Sequence, residues 1–310
     1  MTRQVFLDGG HGTTGLEIAE RLAGRRDLAV VTLPPAERRD REARRAALNA
    51  ADAVILCLPD DAAREAVDLV ENPATRIIDA SSAHRVAPGW AYGFPELGQR
   101  AVISAARRIT NPGCYPTGFL ALVAPLVRAG LIFPSRLLTV NATSGYSGGG
   151  KAMIAAFEEP TAPDATDTAF RLYALTLAHK HVAEMQVHAG LEHPPLFAPA
   201  VARAYRGMVV EVPLTDAPPL ATLRAALADA YAGSPIVRVA DARESEGLGM
   251  VTLERVAGTD RIELFVFGND ARRQARLVAV LDNLGKGAAG AAVQNLNLAL
   301  GLAEFEGLRL

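Results

Sequence analysis

Two cysteines occur in this 310-residue chain, and their settings differ. Cys114 lies in Asn111-Pro112-Gly113-Cys114-Tyr115-Pro116-Thr117-Gly118, after a turn and before an apolar, helix-like stretch at 119–127. A thiol at the start of a helix feels the positive end of the helix dipole, which favours the reactive thiolate. Pro116 suits a first helical turn, where a missing N–H is no loss. The same arrangement serves a small residue that only caps a helix, and position alone leaves both readings open. Cys57 lies inside Ala53-Val54-Ile55-Leu56-Cys57-Leu58, an apolar strand, where a buried and inert thiol is expected.

A second chemical feature is Gly10-His11-Gly12-Thr13-Thr14-Gly15, which follows a predicted strand and opens a predicted helix. In that context G-x-G-x-x-G reads as a dinucleotide-binding turn. The first glycine permits the turn, the second lets backbone N–H groups approach a pyrophosphate, and the third lets helix and strand pack closely. The helix N-terminus favours the anion. Gly10, Gly12, Thr13, Thr14 and Gly15 are the candidate cofactor residues here; an ordinary glycine-rich turn is the alternative. An NAD site usually carries an acid at the end of the second strand, but that strand ends Thr32-Leu33-Pro34-Pro35. Arg38 and Arg39 follow, and guanidinium groups pair well with a 2′-phosphate. The reading is NADP, the alternative being that residues 38–45 are a solvated, charged helix face.

Three further polar clusters stand out. Ser144-Gly145-Tyr146-Ser147-Gly148-Gly149-Gly150-Lys151 follows a strand and offers backbone N–H groups to an anion, without the spacing of a P-loop. Ser81, Ser82 and Arg85 follow a strand ending at Asp79, where ligands bind in doubly wound sheets, and Arg85 suits a carboxylate or phosphate. A mobile surface loop and a surface salt bridge are the respective alternatives. His179-Lys180-His181-Val182-Ala183-Glu184 holds two of the six histidines. Its spacing lacks the metal-binding H-E-x-x-H pattern and no other His/Cys cluster joins it, so no metal is expected. His179 and His181 would share a side in an extended segment and point apart at a helix start. His11, His84, His188 and His193 are read as structural or surface residues.

Strands at 5–8, 28–33, 53–58 and 77–80 alternate with helices along 16–22, 41–48 and 60–70, the last capped by Asp60 and Asp61. Alternation of this kind argues for a doubly wound parallel sheet. Beyond it, strands are expected at 137–142, 207–214, 235–239, 250–256 and 261–267. The last two would be joined by Gly258-Thr259-Asp260. A long helix over 271–302, interrupted at 285–290, would close the chain. Half of the residues are hydrophobic, and the net charge of −2 gives no reason to expect nucleic acid or a membrane as partner. No apolar run approaches the ~20 residues of a membrane span. No secretory leader is read at the start, and two cysteines make no disulfide framework, so a reducing cytoplasm is expected.

Residues 111–118 resemble the active-site segment of the N-acetyl-γ-glutamyl-phosphate reductases, short form. So do Phe6-Leu7-Asp8-Gly9 with Gly12-Thr13-Thr14-Gly15, Cys57-Leu58-Pro59-Asp60-Asp61-Ala62-Ala63, and Asp79-Ala80-Ser81-Ser82-Ala83-His84-Arg85. Tyr92-Gly93-Phe94-Pro95-Glu96 and Lys286-Gly287-Ala288-Ala289-Gly290-Ala291-Ala292-Val293-Gln294-Asn295 complete a similarity that runs the length of the chain. The resemblance implies an α/β fold: a Rossmann-type NADP-binding domain plus an α+β catalytic domain of the semialdehyde/glyceraldehyde-phosphate dehydrogenase type. Residues 1–115, completed by a C-terminal helix at 282–310, would form the first and residues 116–281 the second. It implies an arginine-biosynthesis reductase that uses NADPH to convert N-acetyl-glutamyl 5-phosphate to the semialdehyde and phosphate through a thioester on Cys114. His181 would be the acid–base residue, with Glu184 orienting it or the substrate; the family often has proline where this chain has Ala183. Ser82, Arg85, Ser144, Gly145 and His179 would face substrate, and Asn283, Lys286 and Gly287 the nicotinamide end. A homo-oligomer, dimer or tetramer, is implied. The rivals are a sibling such as aspartate-semialdehyde dehydrogenase and a non-catalytic NADP-binding sensor.

Overall fold

A strand covered on both faces can be apolar along its whole length, and residues 53–56 are of that kind. In the computed structural model, which describes residues 2–310, they form the centre of a parallel sheet. Its elements are β1 (Arg3–Asp8), α1 (Thr13–Leu22), β2 (Leu28–Val31), α2 (Arg41–Ala50), β3 (Ala53–Leu56), α3 (Asp60–Leu69), β4 (Arg76–Asp79), β5 (Ala91–Tyr92), α4 (Arg100–Ala105) and β6 (Arg108–Thr110). The strand order is β2-β1-β3-β4-β6-β5, all parallel. Alternate residues point to opposite faces. Val5, Leu7, Ile55 and Ile78 therefore share one core cluster, and Phe6, Val54, Leu56 and Ile77 another.

A second compact unit is built from α5 (Cys114–Arg128), β7 (Thr139–Gly145), α6 (Gly150–Glu158), β8 (Phe170–Leu172), α7 (His181–Ala189), β9 (Leu196–Ala202), β10 (Met208–Leu214), α8 (Leu220–Ala230), β11 (Val237–Val239), α9 (Ala242–Gly247), β12 (Ile262–Asn269) and β13 (Gln274–Leu281). Its seven-stranded mixed sheet has the order β11-β12-β13-β10-β7-β9-β8. The almost wholly buried α5 packs on β10 and β13 and against α7 and α8. After Gly287 the chain rejoins the first unit, and α10 (Gly290–Leu300) packs against α1 and α4. The first unit thus runs to Gly113 and resumes over Ala288–Leu308; the second is Cys114–Gly287 with Arg309–Leu310.

Several expected elements differ. Residues 250–256 form turns, not a strand. The partner of β12 is β13, joined to it by the 3-10 turn Asp270–Arg272. Residues 274–281 are strand rather than helix. Gln274, Arg276 and the buried Ala275 and Leu277 alternate with a period of two, and the buried run that follows is covered on both faces. The closing helix is therefore short, preceded by a π-helical turn over Gly285–Ala289. Strands β5 and β6 of the parallel sheet, and β8, β9 and β13 of the mixed one, were not anticipated. Asp60 does not cap α3. It is the first helical residue, and its carboxylate accepts from the Ser82 backbone N–H and hydroxyl.

Arg44 is not on a solvated face. It is buried against Asp8, with Nη2 and Nε each 3.1 Å from Oδ2, and it also reaches Glu65 at 3.2 Å. Burial raises the Asp8 pKa, and Arg44 opposes the shift. A carboxyl whose folded pKa is raised holds its proton longer in the folded state, so its contribution to stability falls as pH climbs through that window. Replacing Arg44→Met leaves Asp8 without its cation and should cost roughly 3–5 kcal/mol near neutrality. Urea unfolding at several pH values checks this: the loss should grow as pH rises above the ordinary carboxylate range.

Candidate active site

The first unit carries the glycine turn. Gly12 is the N-cap of α1 and supplies no capping side chain, so the helix N-terminus is open to an external acceptor. A Cβ at Gly12 would meet only the Gly9 carbonyl, at 3.5 Å. The Thr13 hydroxyl is buried without a hydrogen-bond partner. An open anion-binding turn flanked by an orphaned donor fits a pyrophosphate. At Gly15 a Cβ would lie 2.6 Å from the Gly9 carbonyl and from Gly10 Cα, so this glycine permits the close helix approach. The left-handed residue of the turn is Gly9, at φ +80, not Gly10; a Cβ there would strike the Cys57 carbonyl at 2.2 Å. Thr14 is the second residue of α1.

Arg38 and Arg39 are exposed in the turn before α2, and Arg38 Nε donates to the Leu33 carbonyl at the end of the second strand. They are thus outside the helix face that the alternative reading required. Arg85 Nε donates to the Asn111 carbonyl. Ser82 spends its N–H and hydroxyl on Asp60. His84, read as a structural or surface residue, is structural: it is tied by Nδ1 to the buried Asp79 at 2.6 Å and stacks on Trp90, which orders the loop bearing Ser82 and Arg85. Cys57 is pushed up to about 12 by burial and by the negative charges of Asp79 and Asp8.

The second unit carries the nucleophile candidate. Cys114 is the first residue of α5 and partly accessible; Cys57, expected to be buried, is partly accessible too, so the two thiols differ in electrostatic setting rather than in exposure. Gly287 presses on it: a Cβ added at 287 would lie 2.9 Å from Cys114 Cβ. Tyr115 is buried and donates its hydroxyl to the Ala200 carbonyl, while Tyr173 donates to Tyr115 at 3.1 Å. Burial raises both phenols, Tyr173 to about 12, and the negative charge of Cys114 adds to the rise in each. Both rings are therefore near the thiol, a role no sequence motif signalled for Tyr173.

The two histidines come together although α7 begins at His181. His179 lies ahead of the helix, its ring 4.5 Å from that of His181, and it accepts the His181 backbone N–H through Nδ1 at 3.2 Å. The bond commits Nδ1 of His179 as an acceptor that caps the helix start. His181 is buried and its ring is 5.9 Å from that of Tyr115. Glu184 is buried one turn on, on the same helix face. Ser144 is buried at the end of β7, and in the loop after it Ser147 is buried, 1% exposed, while Gly148 and Gly149 reach the surface. Asn283 links that loop to Gly207, and Lys286 is buried to 1%. Among the described residues no three His, Cys, Asp or Glu side chains group as metal ligands, and no helix is long and apolar enough to cross a membrane.

Comparison with known proteins bears on this arrangement. Residues 4–105 match the family described as semialdehyde dehydrogenase, NAD binding domain, and residues 114–283 its dimerisation domain. The N-acetyl-gamma-glutamyl-phosphate reductase of Brucella anthropi is 53% identical over 309 residues, covering 97% of this chain and 99% of the relative. The chain belongs to the N-acetyl-gamma-glutamyl-phosphate reductase family. The Brucella ovis reductase is likewise 53% identical, with 97% and 100% covered. The reductase family's fold, as seen here, is that of the semialdehyde dehydrogenases, a nucleotide-binding unit plus an α+β unit, as expected. A probable aspartate-semialdehyde dehydrogenase from Pseudomonas aeruginosa superposes with a TM-score of 0.73 at 19% identity, covering 97% of this chain and 99% of that one. Aspartate semialdehyde dehydrogenase II of Vibrio cholerae gives 0.72 at 17%, with 97% and 99% covered. At such identities the likeness concerns fold alone.

Membership in the reductase family makes the contrast between the thiols testable. Iodoacetamide near neutral pH should label Cys114 well before Cys57, because only the thiolate reacts and Cys57 ionises near 12. Replacing Gly287→Ala should displace Cys114 and cut turnover by about 100-fold, the scale set by a misplacement of about an ångström. Peptide mapping of the labelled chain and steady-state kinetics read the two outcomes.

Proposed function

We propose that this protein reduces N-acetyl-glutamyl 5-phosphate to N-acetyl-glutamate 5-semialdehyde and inorganic phosphate with NADPH, as a step of arginine biosynthesis in the cytoplasm. The observation that carries the reading is Cys114 on the first residue of α5, seated against Gly287, in a chain 53% identical to curated reductases over 97% of its length. The protein would act as a homo-oligomer, dimer or tetramer, assembled through residues 114–283.

The Cys114 thiolate attacks the acyl carbon. The C–O bond to phosphate then breaks, phosphate leaves with the bonding electrons, and a thioester remains. Covalent capture divides one difficult displacement into two easier steps. When bound, the nicotinamide cofactor supplies the hydride that reduces the thioester. Gly10, Gly12, Thr13, Thr14 and Gly15 would hold its phosphates, Arg38 and Arg39 the 2′-phosphate, and Asn283, Lys286 and Gly287 would serve the nicotinamide end. The resulting hemithioacetal collapses by breaking its C–S bond. His181 moves the proton, taking it from the Cys114 thiol at the outset and returning it to sulfur at collapse. Glu184 orients His181. His179, whose Nδ1 caps α7, is better suited to holding substrate with Arg85, Ser144 and Gly145 than to proton transfer, while Ser82, committed to Asp60, would serve only to order the loop that bears Arg85.

Phosphate-dependent oxidation of N-acetyl-glutamate semialdehyde, compared with aspartate semialdehyde, tests the assignment. Strong preference for the first is expected; preference for the second makes the protein a sibling dehydrogenase, and no oxidation of either leaves only a binding protein. Cys114→Ser should abolish turnover while NADPH still binds. His181→Asn should lower kcat by roughly 10²–10⁴-fold and remove the near-neutral limb of its pH profile. His179→Asn should act mainly on KM. Loss of that limb in His179→Asn alone reverses the two roles. Replacing Arg38 and Arg39 together with alanine should weaken NADPH roughly tenfold more than NADH, the modest scale expected for solvent-exposed charge pairs. Equal losses by titration remove them from 2′-phosphate recognition.

A further inference from the structure

The segment leading to Gly287 is organised by one carboxylate. Asp282 is fully buried. Its Oδ1 accepts from the N–H groups of Leu284, at 2.8 Å, and Gly285, at 3.1 Å. Its Oδ2 accepts from Gly258 N–H at 2.5 Å and lies 3.0 Å from Arg206 Nε. Its backbone carbonyl takes the Gly287 N–H at 3.0 Å. The turn runs close against its neighbour, for a Cβ at Gly285 would strike the Thr259 carbonyl at 2.2 Å.

Arg206 belongs to the loop between β9 and β10. That loop is zipped to the glycine-rich segment by three backbone bonds: Gly145 N–H to the Gly207 carbonyl, Tyr146 N–H to Ala204 and Ser147 N–H to Tyr205, at 2.9, 2.9 and 3.0 Å. Asn283, next to Asp282, closes the circuit: its Nδ2 donates to Ser147 Oγ and its Oδ1 accepts from Gly207 N–H, both at 2.9 Å. The glycine-rich segment, the β9–β10 loop and the turn against Cys114 are thus one hydrogen-bonded body.

We infer that Asp282, paired with Arg206, is a positioning residue for the Cys114 thiol: it fixes the turn that seats Gly287 against Cys114 and locks that turn to the Ser144–Ser147 segment. The inference rests on Cys114 being the reacting thiol. A carboxylate is required because both oxygens face donors. In an asparagine, one oxygen would be replaced by an NH2 group pointing either at two backbone N–H groups or at Gly258 N–H and the guanidinium, and donor would face donor.

The test is Asp282→Asn with Arg206→Met beside it. The readouts are kcat, KM for NADPH, the melting midpoint, and the rate of Cys114 alkylation by iodoacetamide as a function of pH. Asp282→Asn should lower kcat by about 100-fold and shift the pH profile of alkylation, with KM for NADPH rising as well, since the same turn carries Asn283, Lys286 and Gly287. Arg206→Met should do the same more weakly, because Asp282 keeps its three backbone donors. A wild-type alkylation profile in folded Asp282→Asn overturns the inference, whatever happens to kcat. So does a kcat loss that vanishes once the folded fraction is counted. Should Asp282→Asn fail to fold, Arg206→Met decides: wild-type kcat and alkylation sink the inference, and a fall in both at an unchanged melting midpoint supports it. Retained turnover in Cys114→Ser would instead remove the thioester reading and leave the alkylation result to stand on its own.

Discussion

Gly287 lies so near Cys114 that there is no room between them for even a methyl group, and the nucleophile candidate is seated at that close approach. The helix bearing the thiol is held by burial along nearly its whole length, so its first residue is placed by the packing of the rest. The glycine is held by hydrogen bonds, since it has no side chain to pack. Hydrophobic contact is non-directional and sets position coarsely. Hydrogen bonds are directional and set it finely. The nucleophile is seated where the two kinds of restraint meet.

The two thiols show how environment divides one chemistry into two outcomes. Cys57 follows a strand with all four residues buried and faces two carboxylates; its thiolate is disfavoured both by lost solvation and by like charge. Cys114 starts a helix, where the backbone N–H groups of the first turn have no intrahelical acceptors. The tyrosine pair beside it has both phenols raised, so the hydroxyls stay protonated and act as neutral donors. In the first unit, His84 on Asp79 and Ser82 on Asp60 serve to order a loop, which shows that polar side chains near a strand end are not all ligand contacts.

The parallel half of the fold was legible because its signal is local: apolar runs, helical patterns and a glycine turn alternate within short windows. The G-x-G-x-x-G pattern marked the glycine turn ahead of α1, but the glycine with positive φ is Gly9, one place outside the motif. The α+β half was less legible. Strand β13 reads as helix until its partners on either side, β10 and β12, are known to cover it. Residues 250–256 are β-prone but pair with nothing. Cys114, His181 and Glu184 could be named from spacing and resemblance. Tyr173, Arg206 and Asp282 could not, because their neighbours are distant in sequence and no short pattern records them. The direction of the histidine pair stayed open in the sequence for a related reason: a residue just ahead of a helix is not bound by helical periodicity, and His179 turns back onto it.

The chain leaves the first unit after Gly113 and returns to it at Ala288, so the second unit is, topologically, an insertion. Its two ends, Cys114 and Gly287, are in van der Waals reach of each other, and in the first unit Asn111 donates to the Ala288 carbonyl across the same gap. Loop-closure entropy depends on how far apart the ends of an insert are held. An insert whose ends already meet asks nothing of its host beyond a short gap, which is the condition under which whole domains are accepted into loops. The glycine against the nucleophile thus has a topological place as well as a chemical one: it marks the seam at which the chain passes from one folding unit back to the other.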